Sequence, residues 1–478
     1  MKSLPHQGLD RDAIEQQLAE LRSTDLPVTG GKAWGYVYDA GAEVSAIQKS
    51  AVSSFLSVNG LDPTAFPSVE KLENEVLEYC LSHLHAPEEG VGSFTSGGTE
   101  SCMLAIKAAR DYARETKPEI TAPEMVLPVT AHAAFHKGAS YFGVKVVPVD
   151  VDPVTFRADM DAVRAAVSDQ TVLIVGSAAG YAHGVIDPIE EMAALAQEKN
   201  ILLHVDGCIG AFILNLFEEL GEDIPRFDFR VPGVTSISMD LHKYGFAPKG
   251  SSVILHRSPD VRRAQYFACA AWSGYSVVNA TMQSTKSGGP LAGAWAVMRY
   301  LGKEGYLRLA REMLDATRLL LETIPTIEGL RILGQPDMGL IGIASDTIDV
   351  FHLADELNER GWFVVPQLSF RSSPKNLHLA VEPANAAQTA AFLIDLRACA
   401  AHCHEHPAEP PPAPILQMAG SLTPEMLRSS YRDLMKMAGA DDGLPKRRGA
   451  INHIIDALPT ETKEAMLKEF IGELFSKS

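Results

Sequence analysis

Two residues of opposite charge, Asp206 and Lys243, each stand just beyond a short apolar run. Ile201-Leu202-Leu203-His204-Val205 delivers the first, and Val234-Thr235-Ser236-Ile237-Ser238 precedes the second. A carboxylate and an amine at the mouths of neighbouring strands are what pyridoxal 5′-phosphate (PLP) needs. The amine of Lys243 would form a Schiff base with the cofactor aldehyde, while Asp206 would pair with the protonated pyridine nitrogen and keep the ring an electron sink. Upstream, Gly92-Ser93-Phe94-Thr95-Ser96-Gly97-Gly98-Thr99-Glu100-Ser101 runs into the helical pattern Cys102 to Arg110. Gly97 and Gly98 let the backbone approach an anion, Thr99 and Ser101 offer hydroxyls, and the free N–H groups of a first helical turn favour negative charge. Taken singly, Lys243 reads as a surface lysine, Asp206 as a helix cap and the Gly-Gly turn as a loop. Phosphate cradle, aspartate strand and lysine strand in one chain, in that order, read as a PLP site.

Positioning these residues requires strands that end at one place. β-branched runs at Met125 to Leu127, Lys145 to Val149, Thr171 to Val175 and Ser252 to Leu255 alternate with helical patterns such as Asp159 to Val167 and Ile189 to Lys199. That rhythm predicts an α/β fold with a mostly parallel sheet covered on both faces and its site at the carboxyl ends of the strands. The expected organisation is an N-terminal segment over 1–60, a large cofactor-binding domain over 61–290 and a smaller C-terminal α+β domain over 291–478. In the last, a helix through Leu291 to Met298 precedes strands at Leu340 to Ala344 and Trp362 to Val365. A proline-rich connector, His406 to Pro414, leads to an amphipathic helix over Thr423 to Ala438.

Longer stretches carry a closer likeness. Ala131-His132-Ala133-Ala134-Phe135, His183-Gly184-Val185-Ile186-Asp187-Pro188, the run Asp228 to Ser238 and Ala247-Pro248-Lys249-Gly250-Ser251-Ser252 join Ser96 to Ser101 in sequence order. With these motifs the chain resembles the sphingosine-1-phosphate lyase branch of the group II PLP-dependent decarboxylase family, from about Tyr38 through the third hundred and more thinly beyond. The resemblance implies the aspartate-aminotransferase fold (fold type I) and PLP as cofactor. It makes Lys243 the Schiff-base lysine, with His242 near the cofactor phosphate, Asp206 on the pyridine nitrogen and His132 stacked on the ring. Gly97, Gly98 and Thr99 would bind the cofactor phosphate. Thr285, ahead of Gly288 and Gly289, matches a position that reaches the neighbouring subunit's phosphate, which implies a homodimer with shared active sites.

The same likeness gives the substrate phosphate a tyrosine, a histidine and a lysine. Tyr38 and Lys249 match two of them, but Asp62 stands where the histidine is expected, a reversal of sign towards a phosphate. Ala271-Trp272-Ser273-Gly274-Tyr275-Ser276-Val277 keeps the tryptophan of its family segment and loses most of the polar pattern, and Leu241 replaces a threonine before His242. The implied activity is carbon–carbon cleavage of a phosphorylated long-chain base, sphingosine 1-phosphate or a relative, to a fatty aldehyde and phosphoethanolamine. In it Lys243, His132 and Tyr38 carry the chemistry. An amino-acid decarboxylase is the alternative, since it uses the same lysine. A non-catalytic scaffold would not need to keep Lys243, Asp206, His132 and the phosphate loop together.

Composition bounds the rest. Forty-two basic against 60 acidic residues leave a net charge of −18, which disfavours nucleic acid or an anionic membrane as the main partner and leaves a small or lipid-like amine as the expected ligand. Six cysteines spread over 478 residues form no disulfide framework and suit a reducing cytoplasm. Neither a signal peptide nor an apolar run of the roughly 20 residues that span a bilayer is seen, so a soluble protein is expected, and the family likeness then implies a bacterial-type member, since its eukaryotic members carry such an anchor. Cys399, His402, Cys403, His404 and His406 crowd one helix end, but without a second ligand group nearby they read as incidental, and no metal is expected.

Overall fold

The computed structural model describes residues 4–409, 411–437 and 445–476. At its centre lies a seven-stranded sheet made of β1 (Val91–Thr95), β2 (Glu124–Pro128), β3 (Lys145–Val149), β4 (Thr171–Ser177), β5 (Leu202–Asp206), β6 (Ser236–Met239) and β7 (Ser252–His256). Their spatial order is β1-β7-β6-β5-β4-β2-β3. The five strands from β6 to β3 are parallel, and β7 is antiparallel to both β6 and β1. Every residue of β4, β6 and β7 is buried, which is why these strands read as unbroken apolar or small runs rather than as alternating ones. Helices cover both faces. Gly98–Thr116 and Ala133–Phe142 pack around Ile106, Phe135, Met125 and Leu127, while Ile189–Glu198 and Ala211–Glu219 belong to the larger cluster around Leu203, Val205 and Ile237.

Register sets the site. Ser177 of β4, Asp206 of β5 and Ser238 of β6 lie side by side at the carboxyl ends of three parallel strands. Polar side chains are collected there because helices begin beyond strand ends and leave a crevice between the turns.

After the main sheet comes a short hairpin, β8 (Phe267–Cys269) with β9 (Val277–Asn279), followed by the helical run Gly289–Thr323. The sequence expectation of a helix through Leu291 to Met298 covers only its start. The run continues for 35 residues and is broken at Gly302, whose φ of 55° is a left-handed conformation that glycine adopts without a Cβ penalty. A second, antiparallel sheet follows, β10 (Leu330–Ile332), β11 (Leu340–Ser345), β12 (Val365–Gln367) and β13 (Asn376–Ala380), ordered β10-β11-β13-β12. Of the expected strand Trp362 to Val365 only Val365 lies in β12. Trp362 is instead buried against Phe392 with its indole N–H donating to Asp395 Oδ2 at 2.8 Å, and the backbone of Phe363 pairs with Lys32 and Trp34 of the N-terminal segment rather than with the sheet. Helix Thr389–Glu405 then precedes residues 407–409, which have no regular structure.

The helices Ala413–Ser421, Pro424–Met437, Gly449–Ala457 and Thr460–Leu474 gather around Ala419, Leu422 and Leu458. Ala438, the expected end of the second of these, and Pro410 of the connector lie outside the described residues. Asp355 joins this group to the small sheet's helix Val350–Glu359 by accepting the N–H groups of Arg448 (2.8 Å) and Gly449 (3.0 Å). Among the described residues no helix is long and apolar enough to cross a membrane.

Candidate active site

A cavity of about 690 Å³ opens at the carboxyl ends of β4, β5 and β6. Its walls include Gly97, Gly98 and Thr99 from the loop after β1, His132 after β2, Asp206 ending β5, and His242 and Lys243 after β6. Tyr38 and Lys249 complete the set, so nine residues singled out in the sequence meet at one place. Val365, Gln367 and Ala380 of the small sheet close it from the other side.

Lys243 Nζ lies 2.9 Å from Asp240 Oδ2. Burial works against the ammonium, but the carboxylate of Asp240, aided by Cys208 and Tyr38, raises the Lys243 pKa well above that of an ordinary lysine. The other oxygen of Asp240, Oδ1, is buried without a hydrogen-bond partner among the described residues. Asp206 is held differently. Its Oδ1 accepts the Cys208 N–H at 3.1 Å and the Ser238 hydroxyl at 3.4 Å, and Ser238 Oγ in turn lies 3.2 Å from His204 Nε2. Burial keeps His204 neutral, with its pKa lowered to about 4.

His132 caps the helix Ala133–Phe142, its Nδ1 accepting the Ala134 N–H at 3.1 Å, so a neutral ring carries its proton on Nε2. His242 Nδ1 faces the Ser251 carbonyl at 2.8 Å, and burial lowers its pKa. The Lys249 ammonium sits 4.8 Å above the Tyr38 ring, and burial followed by repulsion from Lys243 lowers its pKa. The Tyr38 hydroxyl is buried and its pKa raised, so it holds its proton.

The phosphate loop owes its shape to missing side chains. A Cβ on Gly98 would lie 2.6 and 2.7 Å from the Asp240 oxygens and 2.8 Å from Cys208 Sγ, closer than such atoms approach. Gly97 has φ +153° and faces the His242 ring, and the helix Gly98–Thr116 presents its free N–H groups here. Ser101 departs from expectation. Its hydroxyl turns inward to Thr95 (2.7 Å) and Ser252 (2.9 Å) and is fully buried, because the first helical turn packs on β1 and β7.

Three further sequence-predicted residues lie outside the cavity. Asp62 closes an exposed turn, its Oδ1 accepting the Thr64 N–H (2.9 Å) and hydroxyl (2.6 Å), bonds that lower its pKa and keep it ionised. Thr285 lines a separate hollow behind the phosphate loop, with Ser96 shared between the two cavities. Gly289 begins the helical run that follows, its N–H donating to Ser287 Oγ at 3.0 Å. Conversely, sequence reasoning passed over Asp240, Tyr181, Cys102 and Cys208, all in the cavity wall. Asp240 carried a signal, three positions before Lys243. Tyr181, its hydroxyl pKa pushed up to about 12 by burial, follows β4 in a loop with no local pattern to mark it.

An amine, a buried carboxylate, a glycine cradle at a helix start and a cavity of ligand size fit PLP. The comparisons agree. The family of the pyridoxal-dependent decarboxylase conserved domain matches residues 28–344, and that of a pyridoxal-dependent enzyme C-terminal putative HTH domain matches residues 413–473. The sphingosine-1-phosphate lyase of Dictyostelium discoideum is 38% identical over 83% of this chain and 73% of its own length. That of Arabidopsis thaliana is 40% identical over 82% of this chain and 72% of its own length. Among solved structures, the sphingosine-1-phosphate lyase of Burkholderia pseudomallei superposes with a TM-score of 0.82 at 33% identity, covering 92% of this chain and 97% of that one. A seven-stranded, mostly parallel sheet, a lysine and an aspartate at its strand ends and these relatives lead to one conclusion: the chain belongs to the pyridoxal-dependent decarboxylase family, within its sphingosine-1-phosphate lyase branch, and is a PLP-dependent lyase of fold type I.

Proposed function

We propose that this enzyme cleaves the Cα–Cβ bond of sphingosine 1-phosphate, or of a related phosphorylated long-chain base, to a fatty aldehyde and phosphoethanolamine. It would work as a cytoplasmic homodimer. The observation that carries the reading is the meeting of Lys243, Asp206 and the phosphate loop with a second cationic spot, Lys249 over Tyr38, in one cavity.

When bound, PLP supplies the electron sink for the pair released by the broken bond. The chain's own residues do the rest. Lys243 would anchor the cofactor aldehyde, Gly97, Gly98, Thr99 and His242 would hold its phosphate, and His132 would pack on its ring. Asp206 has Oδ1 committed to Cys208 and Ser238, which leaves Oδ2 for the pyridine nitrogen. Tyr38 donates to the substrate phosphate through a hydroxyl that keeps its proton, and Lys249 offers a charge-assisted bond to the same group. Lys243 meets Asp240, which favours its protonated form whenever the amine is free. It is therefore suited to return a proton to the α-carbon after cleavage.

The dimer is supported by two residues that miss their own cavity. Asp62 and Thr285 belong to one patch, tied by the Gly60 N–H to Lys286 O (2.7 Å) and the Ser287 hydroxyl to Leu56 O (2.9 Å). Such a patch would serve a partner subunit's site, with the Asp62 charge weakening the hold on a phosphate.

The test is to incubate PLP-loaded protein with sphingosine 1-phosphate and follow the aldehyde, then reduce with borohydride and map the labelled peptide. Aldehyde release with the label at Lys243 is expected. Carbon dioxide from an amino acid with no aldehyde would replace the lyase by a decarboxylase.

A further inference from the structure

Cys102 and Cys208 lie behind the phosphate loop and beside Asp206. Cys102 is in the opening turns of the helix Gly98–Thr116, and Cys208 is two residues past the end of β5. Their sulfurs are 3.8 Å apart. Both thiols and Asp206 are buried, at 1%, 8% and 7% exposure, yet all three reach the cavity wall. One ligand atom from each lies within 4.8 Å of the others, which makes this the one such group of three among the described residues. Ser238 Oγ adds a fourth polar atom, 3.2 Å from Cys208 Sγ and 3.8 Å from Cys102 Sγ.

Buried cysteines usually pack as small apolar groups. This pair does belong to the apolar cluster of Ile106 and Phe135, but it also meets a carboxylate and a hydroxyl. Two sulfurs bound at about 2.3 Å to one tetrahedral ion stand about 3.8 Å apart, the separation already present here. We propose that Cys102, Cys208 and Asp206 form a site for one thiophilic divalent cation, Zn²⁺ or Cd²⁺, whose binding opposes that of the cofactor.

On binding, two S–H bonds break, two metal–sulfur bonds form and two protons pass to solvent. Asp206 gives a carboxylate oxygen, and a water or Ser238 completes the tetrahedron. The antagonism rests on the reading of Asp206 as the partner of the pyridine nitrogen: a carboxylate bound to a dication is no longer free for a second cation. Linkage makes the effect mutual.

The full-length protein, reduced and freed of PLP, is titrated with Cd²⁺ while the thiolate-to-cadmium absorption is recorded, with zinc competition as a second readout. One equivalent is expected to bind. Cys102→Ala and Cys208→Ala, checked for unchanged melting, should each weaken binding by more than about tenfold, the loss that outer-sphere partners alone produce. Prior loading with PLP should weaken it by about tenfold or more as well. Absence of the band at millimolar metal, or its survival in the double variant, overturns the site. Equal affinity with and without PLP overturns the antagonism, provided borohydride mapping has placed the cofactor on Lys243. Label at another lysine would mark failure of the functional reading, and the metal titration would stand by itself.

Discussion

At the level of single residues the balance at Lys243 decides how the site behaves. Burial alone would favour a neutral amine, but Asp240 at 2.9 Å outweighs it. Replacing Asp240 by Asn leaves the burial and removes the charge, so the lysine pKa should fall. A fall of one unit multiplies the neutral fraction about tenfold. In PLP-free protein, labelling of Lys243 by an amine-directed reagent at a fixed pH near 8 should accelerate by at least that factor in Asp240→Asn. Unchanged labelling would mean that Asp240 does not govern the lysine. The distinction between the two carboxylates is one of partners. Asp206 is met by an N–H and a hydroxyl, whereas Asp240 has one oxygen on the lysine and the other unpartnered.

At the level of elements the phosphate loop depends on how closely the helix Gly98–Thr116 approaches the end of β6. Gly98→Ala would place a methyl group less than 3 Å from the side-chain ends of Asp240 and Cys208, so that one or both must shift within the cavity wall. Overpacking of this kind costs about 1–3 kcal/mol, and here it falls on the cofactor cradle. PLP affinity, read by equilibrium dialysis, should drop by about tenfold or more, and the melting temperature of the PLP-free protein by only a few degrees. Glu100 links this loop to a more distant element. Its carboxylate accepts the Ser96 N–H and the Met282 N–H, both at 2.6 Å, so the segment leading to Thr285 is tied to the cradle.

For the whole molecule, pH dependence follows from buried groups away from the chemistry. Burial lowers His183, His204 and His256 to about 4 and His378 to about 3. A depressed histidine stabilises the fold above its unfolded pKa of 6.5 and ceases to do so as pH falls through the folded value. Asp187, raised to about 6, and Glu382, raised to about 7, act in the opposite sense, their contribution being present at low pH and lost as pH rises through those values. Four histidines outweigh two acids, so the melting temperature should decline between pH 6.5 and 4. In His204→Gln that decline should be shallower than in the parent, whatever the absolute values. Assembly gives a second test. If each site needs two subunits, mixing inactive Lys243→Ala with an inactive Thr285→Arg subunit should restore about a quarter of the parent's sites, since half of the random pairs carry one intact pair of contributions. No recovery after verified exchange would leave each site to one chain.

What the sequence determined by itself is the chemistry carried on short segments. The periods that make β5 and β6 strands also place Asp206 and Lys243 at or beyond their ends, and the Gly-Gly turn before a helical pattern marks an anion site without knowledge of neighbours. Five of the residues so marked, Gly97, Gly98, Thr99, Asp206 and Lys243, reach one cavity because parallel strands end together, and four marked by the family likeness, Tyr38, His132, His242 and Lys249, reach it as well. The tertiary structure decided what depends on strand order and packing between distant segments. It brought Lys249 over Tyr38, set Cys102 against Cys208, turned Ser101 inward, left Asp62 outside the cavity and placed Thr285 in a separate hollow. Each of these contacts joins residues whose local patterns are indifferent to one another. Only the burial of a common core fixes which loops face each other across the crevice.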